Sequence, residues 1–333
     1  MQARQFLLAS RPTGAPTPEN FALRTVELPP LESGQVLVRN EMLSVDPYMR
    51  PRMDDRPSYV PPYELGEPLT GGAVGVIIAS ESPDRPVGAR VRHSYGWRDL
   101  AIASARETEL IPDTEFPLSY HLGVLGMPGL TAFAGLTEVG GIREGDVLFV
   151  SGAAGAVGSL AGQFGRLLGA SRVVGSAGTD EKATLVVDQL GFDACFNYRN
   201  GPVREALRAA CPDGLDLYFD NVGGDHLGAA IEQLRLGGRI AVCGMIADYN
   251  RPPDERGIKA DVFQIIAQRL SIRGFISTDH LALRPTFLET VGGWLRDERL
   301  TYRESITEGL ENTPTAFIEM LRGGNIGKAV VRL

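Results

Sequence analysis

The chain has 333 residues, of which 43% are hydrophobic and 22% charged, the balance of a water-soluble globular protein long enough for two domains. Its formal net charge of −8 argues against nucleic acid and against an anionic membrane surface as partners. The longest apolar stretch, Ala73–Ala79, is too short to span a bilayer, and Phe6-Leu7-Leu8-Ala9 is too short for the core of a signal peptide. Three scattered cysteines, Cys195, Cys211 and Cys243, fit a reduced, cytoplasmic protein. There is no C-x-x-C, and His93, His121, His226 and His280 lie far apart, so no metal-ligand spacing exists and no metal is expected.

Residues 1 to about 122 are rich in Gly, Pro and β-branched residues, with short strands expected at Gln35–Arg39, Gly75–Ala79 and Gly88–Arg92. A mostly β domain is read there, interrupted by a defined loop at Asp46-Pro47-Tyr48-Met49-Arg50-Pro51. The texture changes at Met127, where Pro128 fits the first turn of a helix running to about Val139, before Gly140-Gly141. Strands and helices then alternate. Strands are expected at Val147–Val150, Arg172–Ser176, Ala194–Asn197, Leu215–Phe219, Arg239–Cys243 and Ser271–Ile276. The intervening helices are Ala156–Leu168, Asp180–Leu190, Val203–Ala210, Asp225–Leu234 and one near Asp261–Arg269. This spacing gives an α/β fold with a doubly wound, six-stranded parallel sheet. An amphipathic helix (Pro285–Arg296), a short strand, a helix from Pro314 and a last strand (Lys328–Leu333) fit no further β-α-β unit, so the tail is expected to rejoin the first domain.

The most informative stretch is Val147–Gly158, VLFVSGAAGAVG. A buried-strand pattern runs into Gly152-Ala153-Ala154-Gly155-Ala156-Val157-Gly158 and then into a small-residue helix. A strand, a glycine turn and a helix N-terminus make a site for a dinucleotide pyrophosphate. The spacing is G-x-x-G-x-x-G, an imperfect form of the dinucleotide fingerprint, and the flanking strand and helix carry the reading. An NAD site places an acid at the end of the second strand for the ribose 2′-hydroxyl. Here that strand ends Gly175-Ser176-Ala177-Gly178-Thr179, and Lys182 sits in the first helical turn, where a cation opposes the helix dipole. A 2′-phosphate held by Lys182, with Ser176 as a second donor, explains both features; Asp180 is the competing ribose ligand. The loops at the carboxyl edge of the sheet should line the crevice. They supply Tyr198 for the adenosine side, Asn221 for ribose or amide (or merely an Asx turn), Cys243-Gly244, Tyr249, and Phe275-Ile276-Ser277.

At Ser44–Arg50 (SVDPYMR), Gly126–Thr131 (GMPGLT), Ala153–Ser159 (AAGAVGS), Gly175–Lys182 (GSAGTDEK), Phe196–Tyr198 (FNY), Tyr218–Gly224 (YFDNVGG), Tyr249-Asn250 and Asn325–Lys328 (NIGK) the chain resembles the medium-chain dehydrogenase/reductase superfamily. Within it, the resemblance is to the zinc-independent branch of prostaglandin reductases, plant double-bond reductases and curcumin reductase-like enzymes, over nearly the whole length. The resemblance implies a Rossmann domain (residues 123–296) and a β-rich GroES-like catalytic domain built from both ends of the chain (1–122 and 297–333). It implies NADPH as cofactor, with Lys182 and Tyr198 at the 2′-phosphate, Asn221 at the cofactor and Asn325 reaching it from the tail, and it implies a homodimer. Zinc-dependent relatives carry a Cys and a His where this chain has Leu43-Ser44-Val45-Asp46 and Leu65-Gly66-Glu67-Pro68.

Hydride transfer without a metal suits a C=C bond conjugated to a carbonyl. Hydride goes to the β-carbon, an enolate develops on the carbonyl oxygen, and a proton at the α-carbon completes the reduction. Tyr249 is the first candidate for the donor or proton source, with the ribose hydroxyl or water as alternatives. Tyr48 is a candidate carbonyl contact, Arg50 a candidate for a substrate carboxylate, and Met127 and Ile276 are candidate apolar contacts. The substrate class is an α,β-unsaturated aldehyde or ketone. A quinone reductase and a non-catalytic NADPH-binding protein are the alternatives.

Overall fold

A computed structural model describes residues 1–112 and 115–333. They fall into two compact units, Met1–Gly123 with Glu304–Asn325 and Ala329–Leu333, and Val124–Arg303 with Ile326–Lys328.

The first unit opens with an antiparallel pair, β1 (Gln2–Leu8) and β2 (Phe21–Glu27). Five strands follow: β3 (Gln35–Ser44), β4 (Ala73–Ser80), β5 (Arg90–His93), β6 (Leu100–Ser104) and β7 (Glu109–Leu110). β3 runs five residues past the expected strand, because its second half has a further partner supplied from the end of the chain. The core of this unit is aromatic. Trp97 is 1% exposed, stacks on Phe21 at 5.4 Å and meets Phe6 and Phe317 edge-on. Its φ of +60° is uncommon for so bulky a side chain and is held by that packing. Tyr48 and Met49 belong to the same cluster.

The second unit begins with α1 (Met127–Ala134), whose Pro128 occupies the first turn, continued by a single wide turn at Gly135–Val139. β8 (Val147–Val150), α2 (Gly158–Leu167), β9 (Arg172–Ala177), α3 (Asp180–Leu190), β10 (Ala194–Asn197) and α4 (Val203–Ala210) come next. They are followed by β11 (Leu215–Asp220), α5 (Gly224–Gln233), β12 (Leu234–Val242), α6 (Phe263–Ala267), β13 (Ser271–Gly274) and α7 (Arg284–Arg296). The six strands form one sheet in the order β10-β9-β8-β11-β12-β13, every pair parallel. The first strand, β8, is thus central, and the strand order reverses beside it, where such sheets bind ligands. β8 is buried along its whole length, as its unbroken apolar run requires. β12 starts at Leu234, five residues before the expected Arg239, through a register shift against β11 between Leu215 and Leu217.

The chain then gives β14 (Glu304–Glu308), α8 (Thr313–Leu321) and β15 (Lys328–Arg332). β15 pairs antiparallel with β3, Val330 opposite Ser44, so the tail does close the first sheet, which runs β14-β15-β3-β4-β5-β7 with β6 also on β3. The stretch just before β14 stays with the second unit. Gln163 on α2 accepts from the Thr301 N–H at 2.8 Å and donates to its carbonyl at 3.0 Å. Among the described residues no helix is long and apolar enough to cross a membrane.

Candidate active site

The glycine turn follows β8 as its sequence requires. Gly152 has φ +63°, a conformation that L side chains rarely adopt, and Gly155 N–H closes the turn on the Gly152 carbonyl at 2.9 Å. A Cβ on Gly158 would collide with that same carbonyl and stand 3.1 Å from Ala153 Cα, so only glycine lets α2 start this close to the strand. Ala153 is fixed by its N–H to the Ser176 carbonyl (2.9 Å), and Ala156 and Val157 lead into the first turn of α2, where Ser159 N–H donates back to the Gly155 carbonyl at 3.0 Å. A backbone this close to the helix start fits a pyrophosphate. The tail reaches the same turn: Gly327 N–H donates to the Ala154 carbonyl at 2.8 Å, and Gly155 and Gly327 pair in parallel. Asn325 lies two residues before this contact.

The junction of β9, α3 and β10 carries the charge. Thr179 caps α3 by accepting from the Lys182 N–H at 3.2 Å. The Lys182 ammonium is pushed below its ordinary pKa, first by burial and then by the positive charge of Arg199. Asp180 is exposed, and its Oδ1 accepts from the Asn197 and Asn200 side-chain amides at 2.9 and 2.8 Å, which ties it to the next loop. Tyr198 packs edge-on against His226 with ring centroids 5.2 Å apart, and its hydroxyl lies over Gly178, where an added Cβ would stand 2.9 Å away. Ser176 requires a correction. It is fully buried, its Oγ has no partner among the described residues, and it therefore presents no hydroxyl to a 2′-phosphate. Arg199, which residue type alone did not single out, is the cation the structure sets beside Lys182.

A buried polar knot joins the carboxyl ends of β8, β11 and β12. Asp220, at the end of β11, accepts at Oδ1 from Tyr218 Oη (2.6 Å), Val222 N–H (2.9 Å) and Gly223 N–H (2.8 Å), while its carbonyl accepts from the N–H groups of Cys243 (2.8 Å) and Gly244 (3.0 Å). Burial raises its carboxyl pKa, and these donors oppose that rise. Asn221 donates its side-chain amide to the Ser151 carbonyl at 2.8 Å and its N–H to Ser151 Oγ at 3.0 Å, tying the ends of β8 and β11 together. Ser151, Tyr218 and Asp220 were not legible as site residues, although the YFDNVGG stretch contains two of them. Burial pushes the Cys243 thiol up to about 12, so it is a neutral wall and not a nucleophile.

Tyr249 ends a short 3-10 turn (Ile246–Asp248), half-buried, with its hydroxyl side toward Gly244, where an added Cβ would stand 3.4 Å from Oη. Phe275 N–H donates to the Val242 carbonyl (3.3 Å) and its ring meets Phe219 edge-on; Ile276 is half-buried and Ser277 buried. Met127 is half-buried at the start of α1, and its carbonyl accepts from Thr131 Oγ1 at 2.8 Å.

In the first unit, Tyr48 lies in a 3-10 turn (Pro47–Met49). Burial, then the charge of Asp46, raises its phenol well above the ordinary value, so it stays a hydrogen-bond donor. Arg50 is the second correction. It is 3% exposed, ion-paired to Asp54 at 2.6 Å and donates twice to the Gly14 carbonyl (2.8 and 3.2 Å), so its charge holds the loop and does not face a substrate. Among the described residues no three His, Cys, Asp or Glu side chains are grouped as a metal ion would need.

Two family models match this chain, the N-terminal domain of oxidoreductase at residues 4–111 and zinc-binding dehydrogenase at residues 156–291. The NADPH-dependent curcumin reductase of Escherichia coli is 42% identical over 99% of this chain and 96% of its own length. The NADP(+)-dependent 2-alkenal reductase of Nicotiana tabacum is 41% identical over 98% and 96%. The crystal structure of CurA from Vibrio vulnificus in complex with NADPH superimposes with a TM-score of 0.94 at 42% identity, covering 99% of this chain and 98% of that one.

Proposed function

This chain belongs to the zinc-independent, double-bond reductase branch of the medium-chain dehydrogenase/reductase superfamily, and on that premise we propose that it reduces the C=C bond of α,β-unsaturated aldehydes and ketones with NADPH. The observation that carries the reading is the pairing of a glycine turn built for a pyrophosphate with a Lys182–Tyr198 junction in which Asp180 is already bound to two amides. When bound, NADPH supplies the hydride.

The protein's part is to place and polarise. Gly152–Gly158 and the start of α2 hold the pyrophosphate. Lys182 and the Tyr198 hydroxyl meet the 2′-phosphate. Asn221, Cys243, Gly244, Phe275, Ser277 and Asn325 shape the cofactor surface, and the Asp220 knot keeps three strand ends in register beneath it. Reduction of a conjugated C=C leaves negative charge on the carbonyl oxygen, and a fixed hydroxyl donor stabilises that charge. Tyr249 is assigned the donor and proton-source role, and Tyr48, whose phenol burial keeps protonated, the carbonyl contact. Met127 and Ile276 are assigned to the apolar wall. Tyr249→Phe should lower turnover on an enone by about 10²- to 10⁴-fold, the usual contribution of a positioned proton donor, with the Kd for NADPH nearly unchanged. Unchanged turnover in a steady-state assay removes Tyr249 from the mechanism.

We assign the protein to the cytoplasm, on the ground of three free cysteines. We also assign it a homodimer through the free edge of β13. All four residues of that strand are exposed, and Val262, Phe263 and Ile266 beside it are exposed as well. A monomeric mass in solution would contradict the dimer.

A further inference from the structure

The loop 197–200 is docked onto the start of α3 by two hydrogen bonds and braced by a third within itself. Asn197 Nδ2 and Asn200 Nδ2 both donate to Asp180 Oδ1, and Arg199 N–H donates to Asn197 Oδ1 at 3.0 Å. This docking sets the loop's side chains against the first turn of α3, where Lys182 lies. The guanidinium carbon of Arg199 stands 5.8 Å from the centroid of the Tyr198 ring, and the Tyr198 hydroxyl closes over Gly178 from the other side. A phenol hydroxyl, a lysine and an arginine thus converge on one helix start.

We propose that Arg199 is the second cation of the 2′-phosphate subsite and, with Lys182, sets the preference for NADPH over NADH. The proposal rests on the reading that Lys182 meets the 2′-phosphate. Two cations brought to one turn repel each other, and that repulsion is felt at Lys182. A dianionic phosphate set between them reverses the sign of the interaction for both. The guanidinium is also suited to the geometry, since its planar fork bonds two phosphate oxygens at once, whereas an ammonium acts as a point charge. Asp180, which with Glu181 is one of two acids in this turn, contributes by fixing the loop through its Oδ1 rather than by binding ribose.

The test is binding without turnover. Adenosine 2′,5′-bisphosphate and 5′-AMP, which differ only in the 2′-phosphate, are titrated calorimetrically into the wild-type protein and into Arg199→Gln, Arg199→Lys and Lys182→Met. Arg199→Gln should weaken the bisphosphate about tenfold, leave 5′-AMP within about twofold and flatten the salt dependence, and Arg199→Lys should restore part of the loss. If Lys182→Met weakens the bisphosphate and Arg199→Gln does not, the role of Arg199 is overturned while the phosphate reading stands. If Arg199→Gln weakens both ligands alike, Arg199 only maintains the loop and the proposal is overturned. If Lys182→Met leaves the bisphosphate unaffected, the underlying placement of the phosphate fails.

Discussion

Replacing Gly178 with alanine separates the cofactor site from the fold. The new Cβ would stand 2.9 Å from the Tyr198 hydroxyl oxygen and 3.3 Å from Cζ, where ordinary contact begins at 3.4 Å, so the phenol must retreat by at least ~0.5 Å. Gly178 has no positive φ, and alanine costs nothing in backbone strain there. The obstacle is the tip of a side chain, and the ring can tilt against His226. Stability should therefore change by less than about 1 kcal/mol, or roughly 2–4 °C in Tm for a unit of this size. The hydroxyl's bond to a phosphate is what suffers. A hydrogen bond to a charged group contributes about 1.5–3 kcal/mol, so full loss raises the KM for NADPH by roughly 10- to 150-fold. NADH has no 2′-phosphate, and its kcat/KM should not move. Gly158→Ala is the contrast. Its Cβ meets the backbone of Gly152 and Ala153, which cannot swing aside, and the cost of about 1–3 kcal/mol should appear in Tm and in the use of both cofactors. The assay is a steady-state comparison of NADPH and NADH with melting curves for both variants. Equal loss with the two cofactors in Gly178→Ala would refute the placement of Tyr198 at the phosphate.

Two further outcomes depend on pH. Lys182 is held below its ordinary 10.5 by burial and by Arg199, so it loses its charge at a lower pH than an exposed lysine does. The ratio of kcat/KM for NADPH to that for NADH should be full near neutrality and fall in the alkaline range, at a lower pH than an exposed lysine would give; a flat ratio contradicts the assignment of Lys182. His93 and His226 are each pushed down to about 4 by burial, from an ordinary 6.5. A depressed folded pKa means that their contribution to stability is whole above about pH 6.5 and is lost as pH falls toward 4. At pH 5 the loss is about 2 kcal/mol for each, one in each unit, and should appear as a lower Tm than at pH 7. A Tm unchanged over that interval would show that neither imidazole is held neutral by the fold.

Much of the cofactor unit was legible because its signals are local. The run Val147–Val150, and Pro128 in the first turn of α1, set element ends without help from distant residues. The glycine turn was legible for the same reason, since its φ and its close approach are properties of seven consecutive residues. What was not legible depends on partners far away in the chain. Arg50 reads as a charge on a loop until Gly14 and Asp54 are seen to enclose it. Ser176 reads as a donor at a strand end until its burial is known. Asp180 reads as a competing ribose ligand, and its role in holding the next loop through Oδ1, which brings Arg199 near Lys182, depends on residues 17 and 20 positions away. The early start of β12 follows from a register shift against β11 that no periodicity within the strand encodes.

The central claim is hydride delivery to the β-carbon of a conjugated C=C bond. NADPH carrying deuterium at the transferable C4 position, incubated with the protein and an enone in ordinary water, tests it in one measurement by NMR of the product. The expected product is a saturated ketone with deuterium on the β-carbon and a solvent proton on the α-carbon. Deuterium on the carbonyl carbon of an allylic alcohol, with the C=C bond intact, would contradict it.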